Sequence, residues 1–160
     1  MLIRQATADD WPHIWPFWHR IVAAGETYAW DPDTSEEAAR ALWMNPAKRV
    51  YAAEDETGAV VASAYVTANY GGPAARIAGA GFMVDPDRAG RGTGRALAEH
   101  VLAAAKADGY RGMVFNAVVE TNPAVRLWTS LGFTILGTVP DAFDHPRHGR
   151  VGLHIMHRAL

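Results

Sequence analysis

The sequence contains no cysteine among its 160 residues. A disulfide-stabilised scaffold, a zinc site built on thiolates and a cysteine nucleophile are therefore excluded. Long apolar runs are also missing, because no segment approaches the roughly 18 residues that a membrane span needs. The residues after Met1 lack the apolar stretch of a secretory signal. We therefore expect a soluble, cytoplasmic protein with no membrane contact.

The sequence also lacks an excess of charge of either sign. Lys and Arg together number 15 and Asp and Glu 17, which gives a formal net charge of −2. Because binding to a phosphate backbone needs a basic surface, we expect no nucleic acid partner. Hydrophobic residues make up 49% and charged residues 20%, which is typical of a globular protein, and the length predicts one domain over residues 1–160. No His or carboxylate spacing indicates a metal site.

Hydrophobic periodicity and turn residues predict a mixed α/β domain with the order β-α-α-β-β-β-α-β-α-β-β. Trp11, Trp15 and Trp18 lie on one face of the first helix, and Pro16 predicts a kink or a late start there. The polar segment 140–149 is predicted to be a loop. The predicted strands cover 2–5, 50–54, 59–68, 76–84, 113–119, 133–139 and 151–157. The predicted helices end near 24 and 44 and cover 95–108 and 123–131.

A glycine-rich segment joins the fourth predicted strand to the third helix. Gly90, Gly92 and Gly94 alternate with other residues, so backbone N–H groups can approach a phosphate at the positive end of the helix dipole. A Walker loop is excluded because Gly94 is followed by Arg95, and a dinucleotide fingerprint because Leu97 stands at its third glycine. The segment therefore predicts an anion site of another kind, and the alternative is a tight turn without a ligand.

Two segments resemble motifs of the GNAT superfamily of N-acetyltransferases. Residues Val84–Leu97 resemble its acetyl-CoA pyrophosphate loop, and Asn122–Phe133 resemble its second motif, a helix that leads into a Gly-Phe strand. The resemblance implies a GNAT-like, mostly antiparallel sheet flanked by helices and splayed at two central parallel strands. Two positions depart from the family pattern. Ala89 replaces a common Gln or Arg, and Trp128 stands where many members carry a Tyr proposed as general acid.

The same resemblance implies the ligands and the residues that bind them. Acetyl-CoA is the expected co-substrate, without a metal, and a homodimer is the expected assembly. The implied acetyl-CoA contacts are the backbone of Phe82, Met83 and Val84, the loop residues Gly90, Arg91, Gly92, Thr93, Gly94 and Arg95, and the side chains of Asn122 and Trp128.

Three asparagines are candidate site residues. Taken alone, Asn69 is a turn residue, Asn116 a buried amide satisfied at a strand irregularity, and Asn122 a helix N-cap. Together with 80–84 and 145–146 they resemble a GNAT branch whose members include a fungal enzyme acting on L-azetidine-2-carboxylate. That resemblance implies that Asn116 and Asn122 serve catalysis and that Asn69 and Asn116 bind substrate. Glu26 and Tyr28 follow the first helix, where this fold places its substrate wall.

The function predicted from these residues is transfer of an acetyl group from acetyl-CoA to the amine of a small molecule. The resemblance extends to phosphinothricin-type acetyltransferases, which makes an amino or imino acid a candidate acceptor. Two alternatives stay open. The chain could be a non-catalytic acyl-CoA-binding or sensing domain, in which Trp128 marks lost chemistry, or a protein N-terminal acetyltransferase.

Overall fold

The computed structural model describes residues 1–160 and contains a single seven-stranded sheet with the order β1-β2-β3-β4-β5-β7-β6. The strands are β1 (Leu2–Gln5), β2 (Arg49–Glu54), β3 (Val60–Ala68), β4 (Ile77–Val84), β5 (Gly112–Val119), β6 (Thr134–His145) and β7 (Gly149–Ala159). The helices are α1 (Trp11–Ala24), α2 (Glu36–Trp43), α3 (Thr93–Ala107) and α4 (Ala124–Ser130). All neighbouring strands are antiparallel except β4 and β5, which confirms the predicted fold class.

The parallel strands β4 and β5 pair over only part of their length. Their ladder ends where Gly79 lies opposite Val114. Beyond that point β5 carries an irregularity between Phe115 and Val118 in its pairing with β7. The two strands therefore diverge, and their carboxyl ends leave an opening in the middle of the sheet.

The helices cover both faces of the sheet. Successive side chains of a strand point to opposite faces. Met83 packs in one apolar cluster with residues of α1 and α2, whereas its neighbour Phe82 packs against the cluster that contains Leu97 and Val101 of α3. The sheet is thus a central layer between α1 and α2 on one side and α3 and α4 on the other. No helix is both long and apolar enough to cross a bilayer.

Helix α1 lacks the late start that was one of the two alternatives predicted from Pro16. The helix begins at Trp11, after a 3-10 turn, and continues past Pro16 to Ala24. Proline costs the helix one N–H donor, but its φ is fixed near the helical value. The loss is offset by burial of five apolar side chains, which are Trp11, Ile14, Phe17, Trp18 and Val22.

The predicted loop over 140–149 is wrong. Strand β6 continues to His145 and β7 begins at Gly149, so these residues form the end of a long hairpin. Phe143 lies opposite Val151, after a register shift that accommodates the positive φ of Asp141. Nearly all of β6 is exposed, so its sequence lacks the alternation of apolar residues that identifies a half-buried strand.

Candidate active site

A cavity of about 360 Å³ occupies the opening between β4 and β5. Its wall comes from the two diverging strands, the loop between α1 and α2, the end of β3 and the start of α4. The lining residues are Thr27, Tyr28, Ala29, Trp30, Lys48, Tyr65, Thr67, Asn69, Gly79, Ala80, Gly81, Phe82, Val114, Phe115, Asn116, Ala117, Val118, Asn122, Ala124 and Trp128. All three predicted asparagines and Tyr28 are therefore brought together, and the volume suits a small molecule.

Asn69 and Asn116 form a reciprocal amide pair on the wall of this cavity. Asn69 Nδ2 donates to Asn116 Oδ1 at 3.0 Å, and Asn116 Nδ2 donates to Asn69 Oδ1 at 2.7 Å. The prediction of a buried amide was wrong, because Asn116 is exposed at the irregularity of β5 together with Ala117. Each amide keeps a second N–H and a second lone pair free for a ligand.

Two glycines of β4 make room for this arrangement. A Cβ at Gly79 would lie 2.7 Å from Asn69 Oδ1, and a Cβ at Gly81 would lie 2.5 Å from Tyr65 Cε1. Side chains of β3 and its following loop therefore lie directly over the β4 backbone. Sequence reasoning missed these positions, although glycine inside a strand indicates a close approach of other atoms.

The hydroxyl of Tyr28 is bound to the backbone of β4. It donates to the carbonyl oxygen of Phe82 at 2.7 Å and accepts from the Phe82 N–H at 3.0 Å. Because backbone groups alternate along a strand, those of Ala80 and Val84 face the same opening. Burial raises the pKa of Tyr28 well above its ordinary value, so the hydroxyl keeps its proton. Tyr28 thus holds two of the backbone groups expected to contact the thioester.

The glycine-rich loop has the geometry of an anion site. Gly90 and Gly92 have φ of 80° and 81°, and a Cβ at either would meet no atom within 4 Å. The N–H of Ala96 is the first to bond back into α3, to Gly92 O at 3.0 Å. The N–H groups of Thr93, Gly94 and Arg95 therefore have no acceptor within the helix. This open loop can therefore bind an anion, and its Arg91 and Arg95 are cationic.

Asn122 and Trp128 lie on the side of the cavity formed by α4. Asn122 Oδ1 accepts the N–H of Ala124 at 2.9 Å, so it caps the helix, which begins one residue later than predicted. Trp128 is buried, and its ring centroid lies 4.9 Å from that of Phe82 and 4.8 Å from that of Phe115. An indole N–H donates a hydrogen bond but releases no proton at ordinary pH, so Trp128 is no general acid.

Glu26 does not line the cavity, which corrects its predicted substrate contact. Its Oε1 lies 3.0 Å from Nε of Arg147, near the tip of the β6–β7 hairpin. The carboxylate thus ties the α1–α2 loop to the hairpin, and Tyr28, two residues later, contributes to the cavity instead. Met83 does not contribute to the cavity either, which corrects its predicted acetyl-CoA contact: its side chain is buried against α1, and its backbone groups, which alternate with those of Phe82, face β3.

Comparison with known proteins identifies the family. A model of the acetyltransferase (GNAT) family matches residues 10–133. A GCN5-related N-acetyltransferase from Kribbella flavida is 52% identical, with a TM-score of 0.96 over 99% of this chain and 97% of that one. A phosphinothricin acetyltransferase from Sinorhizobium meliloti, solved in complex with AcCoA, is 27% identical, with a TM-score of 0.85 over 99% of this chain and 88% of that one.

A match to a curated relative covers a smaller region. N-acetyltransferase aca1 of Schizosaccharomyces pombe is 40% identical over 79 residues, which is 49% of this chain and 38% of the relative. The matched region thus spans less than half of the relative's length.

Proposed function

The chain belongs to the acetyltransferase (GNAT) family, and we propose that it transfers the acetyl group of acetyl-CoA to the amine of a small amino or imino acid. The observation that carries this proposal is the cavity between β4 and β5, which combines the part of β4 beyond its ladder with β5 and the amides of Asn69, Asn116 and Asn122. The complex of the Sinorhizobium meliloti relative with AcCoA supports the co-substrate. The phosphinothricin acetyltransferase name of that relative supports an amino-acid-like acceptor.

Acetyl-CoA supplies the activated acetyl group, and the chain binds it at two places. The N–H groups of residues 92–95 hold the diphosphate at the start of α3, where the helix dipole favours negative charge. The backbone edge of β4 from Ala80 to Val84 holds the pantetheine. A strand N–H that faces the opening, other than that of Phe82, which donates to Tyr28, stabilises the oxyanion that forms on the thioester carbonyl.

The acetyl transfer needs a neutral amine beside the thioester. The amine nitrogen attacks the carbonyl carbon, the C–S bond breaks, and the amine proton passes to water. Asn116 and Asn122 orient the amine by accepting hydrogen bonds from it, which supplies the proximity that lowers the barrier. The CoA thiolate is a weak base, because the pKa of a thiol is only about 8.5. It therefore leaves without taking a proton from a general acid. Trp128 at the position of the family's tyrosine is therefore compatible with the reaction.

The test is amine-dependent release of CoA thiol, followed with a thiol reagent. Since the chain has no cysteine, it adds no thiol signal of its own. The acceptors are proline, azetidine-2-carboxylate, primary amino acids, polyamines and a peptide with a free N-terminus. We expect release with the amino or imino acids. Binding of acetyl-CoA without release would instead support the acyl-CoA-sensing alternative, and release with the peptide alone would support N-terminal acetylation.

A further inference from the structure

Lys48 is the one charged residue among the side chains that line the cavity between β4 and β5. The other lining residues are apolar, or carry neutral hydroxyl and amide groups, and none is a carboxylate. A ligand that fills this cavity therefore meets a single fixed positive charge. Lys48 lies just before β2, at the end of the cavity formed by Tyr65 and Thr67.

The ammonium group of Lys48 is held in place without an anionic partner. Its Nζ donates to the carbonyl oxygen of Leu42 at 2.6 Å and lies 3.8 Å from the centroid of the Tyr65 ring. It takes part in none of the ion pairs of the chain. Partial burial lowers the pKa of Lys48, and no nearby carboxylate offsets this effect. The carbonyl oxygen of Leu42 is the one hydrogen-bond acceptor that the chain gives to its three N–H donors.

The position of Tyr65 connects this charge to the reacting centre. The Tyr65 ring lies against β4 at Gly81, where even a Cβ would not fit. Gly81 precedes Phe82, whose backbone faces the opening. Lys48 and the β4 edge therefore both contact the Tyr65 ring, and both line the same cavity.

We propose that Lys48 binds the carboxylate of the acceptor, so that the enzyme selects amines that carry a carboxylate over those that carry none. This proposal rests on the proposed acetyl transfer and names the residue that recognises the carboxylate of the acceptor. The N–H groups of Lys48 donate to the carboxylate, while the amides of Asn116 and Asn122 bind the amine. Polyamines are rejected, because a second positive charge would lie beside Lys48.

The test compares each accepted amino acid with its carboxamide, which keeps the amine and removes the charge. Loss of one charge-assisted hydrogen bond corresponds to about a 10- to 100-fold change in kcat/KM. We expect the wild-type enzyme to prefer the acid by that factor. In Lys48→Met, which keeps the length of the side chain without its charge, the ratio of acid to amide should fall towards one. Lys48→Arg should retain a preference for the acid.

Lys106→Met is the matched control, because Lys106 is exposed on α3 and lies outside the cavity. It should leave the acid-to-amide ratio unchanged. A wild-type enzyme without preference for the acid, or a Lys48→Met variant with the wild-type ratio, would overturn the proposal.

Calorimetry tests the role of Lys48 in binding the carboxylate independently of whether the protein transfers acetyl groups. The acid and its amide are titrated into the wild-type protein and into Lys48→Met, each saturated with CoA. Binding of the acid that weakens at least tenfold in Lys48→Met supports the role of Lys48 even if no amine releases CoA. Equal affinity in both proteins, or no binding of the acid to either, overturns it.

Discussion

Asn122 has two roles at the scale of a single residue, because its side chain caps α4 and also lines the cavity. Asn122→Ser keeps a side-chain acceptor for the helix N-terminus but is too short to reach a ligand in the same way. We expect this variant to lose only a few tenths of a kcal/mol of stability, whereas Asn122→Ala loses about 1 kcal/mol. Both variants should lose at least tenfold in kcat/KM.

Urea unfolding and steady-state kinetics measure these two effects separately. If both variants keep the wild-type kcat/KM and only Asn122→Ala unfolds more easily, the residue serves as a helix cap alone.

Tyr28 stabilises the edge of β4 through its hydroxyl, which bonds both backbone groups of Phe82. Tyr28→Phe leaves the N–H and the carbonyl oxygen of Phe82 without their partner in a partly buried position. We expect the free energy of unfolding to fall by about 1–3 kcal/mol. Tyr70→Phe is the control, because Tyr70 is exposed in the loop after β3, and it should unfold as the wild type does. Equal urea midpoints for the two variants would contradict the role of Tyr28.

Sequence reasoning found the asparagines and the capping role of Asn122, but not the pairing of Asn69 with Asn116. The pairing of Asn69 with Asn116 depends on where β3 ends relative to an irregularity in β5, and such a long-range register is absent from local patterns. Lys48 was missed because no motif surrounds it. Glu26 and Tyr28 lie in one loop without periodicity, so the sequence could not tell which of them faces the cavity.

The glycine-rich loop and α3 act together at the scale of the element. In Gly92→Val, the side chain fills the space that a diphosphate would occupy, and the positive φ strains the backbone. Gly58→Val is a matched control, since Gly58 has a φ of 82° in the turn between β2 and β3 and equally open surroundings. Both variants should lose about 1–2 kcal/mol of stability.

Calorimetry with acetyl-CoA distinguishes the two. Only Gly92→Val should lose affinity, by at least tenfold, while Gly58→Val keeps it. Wild-type affinity in Gly92→Val would remove the assignment of the diphosphate site.

The turn that starts α1 makes stability depend on pH. Asp10 is buried, accepts from both nitrogens of the Arg4 fork at 2.7 and 2.9 Å, and accepts the N–H of Thr7 at 2.7 Å. The hydrogen bonds from Arg4 lower the pKa of Asp10 in the folded state. Its stabilisation is therefore complete above the unfolded pKa of about 3.9 and is lost as the pH falls through the lower folded value.

Asp10→Asn removes this pH-dependent contribution. We expect the variant to be about 1–3 kcal/mol less stable at neutral pH and to lose less than the wild type on acidification below about pH 4. Urea unfolding across this pH range measures both. Parallel stability curves for the two proteins would contradict the assignment.

Elements were predictable where burial imposes a pattern. Helix α3 and strand β4 show their apolar faces in the sequence, and both were predicted near their observed bounds. Strand β6 was predicted too short because both its faces are exposed and Pro140 occurs within it, which an edge strand tolerates. Whether α1 starts before or after Pro16 could not be decided from the sequence, because tolerance of a proline inside a helix depends on tertiary packing.

At the scale of the whole molecule, the opening in the sheet determines what the protein can do. Strands β4 and β5 diverge beyond Gly79, and the edge of β4 faces the asparagines across the cavity. The order of elements and the fold class were predictable, because the glycine-rich loop and the second motif fix the positions of β4, α3 and α4. The shape and charge of the cavity could not be predicted, because they depend on segments that lie far apart in the sequence and meet only in the fold.

The most direct measurement follows an isotopic label from the acetyl group of acetyl-CoA to its product. The protein is incubated with labelled acetyl-CoA and an amino or imino acid, and the products are identified by mass spectrometry. Acetyl transfer predicts one labelled N-acetyl product for each CoA released, and none without the protein. Labelled acetate alone, or bound acetyl-CoA that stays intact with every amine, would contradict the proposed function.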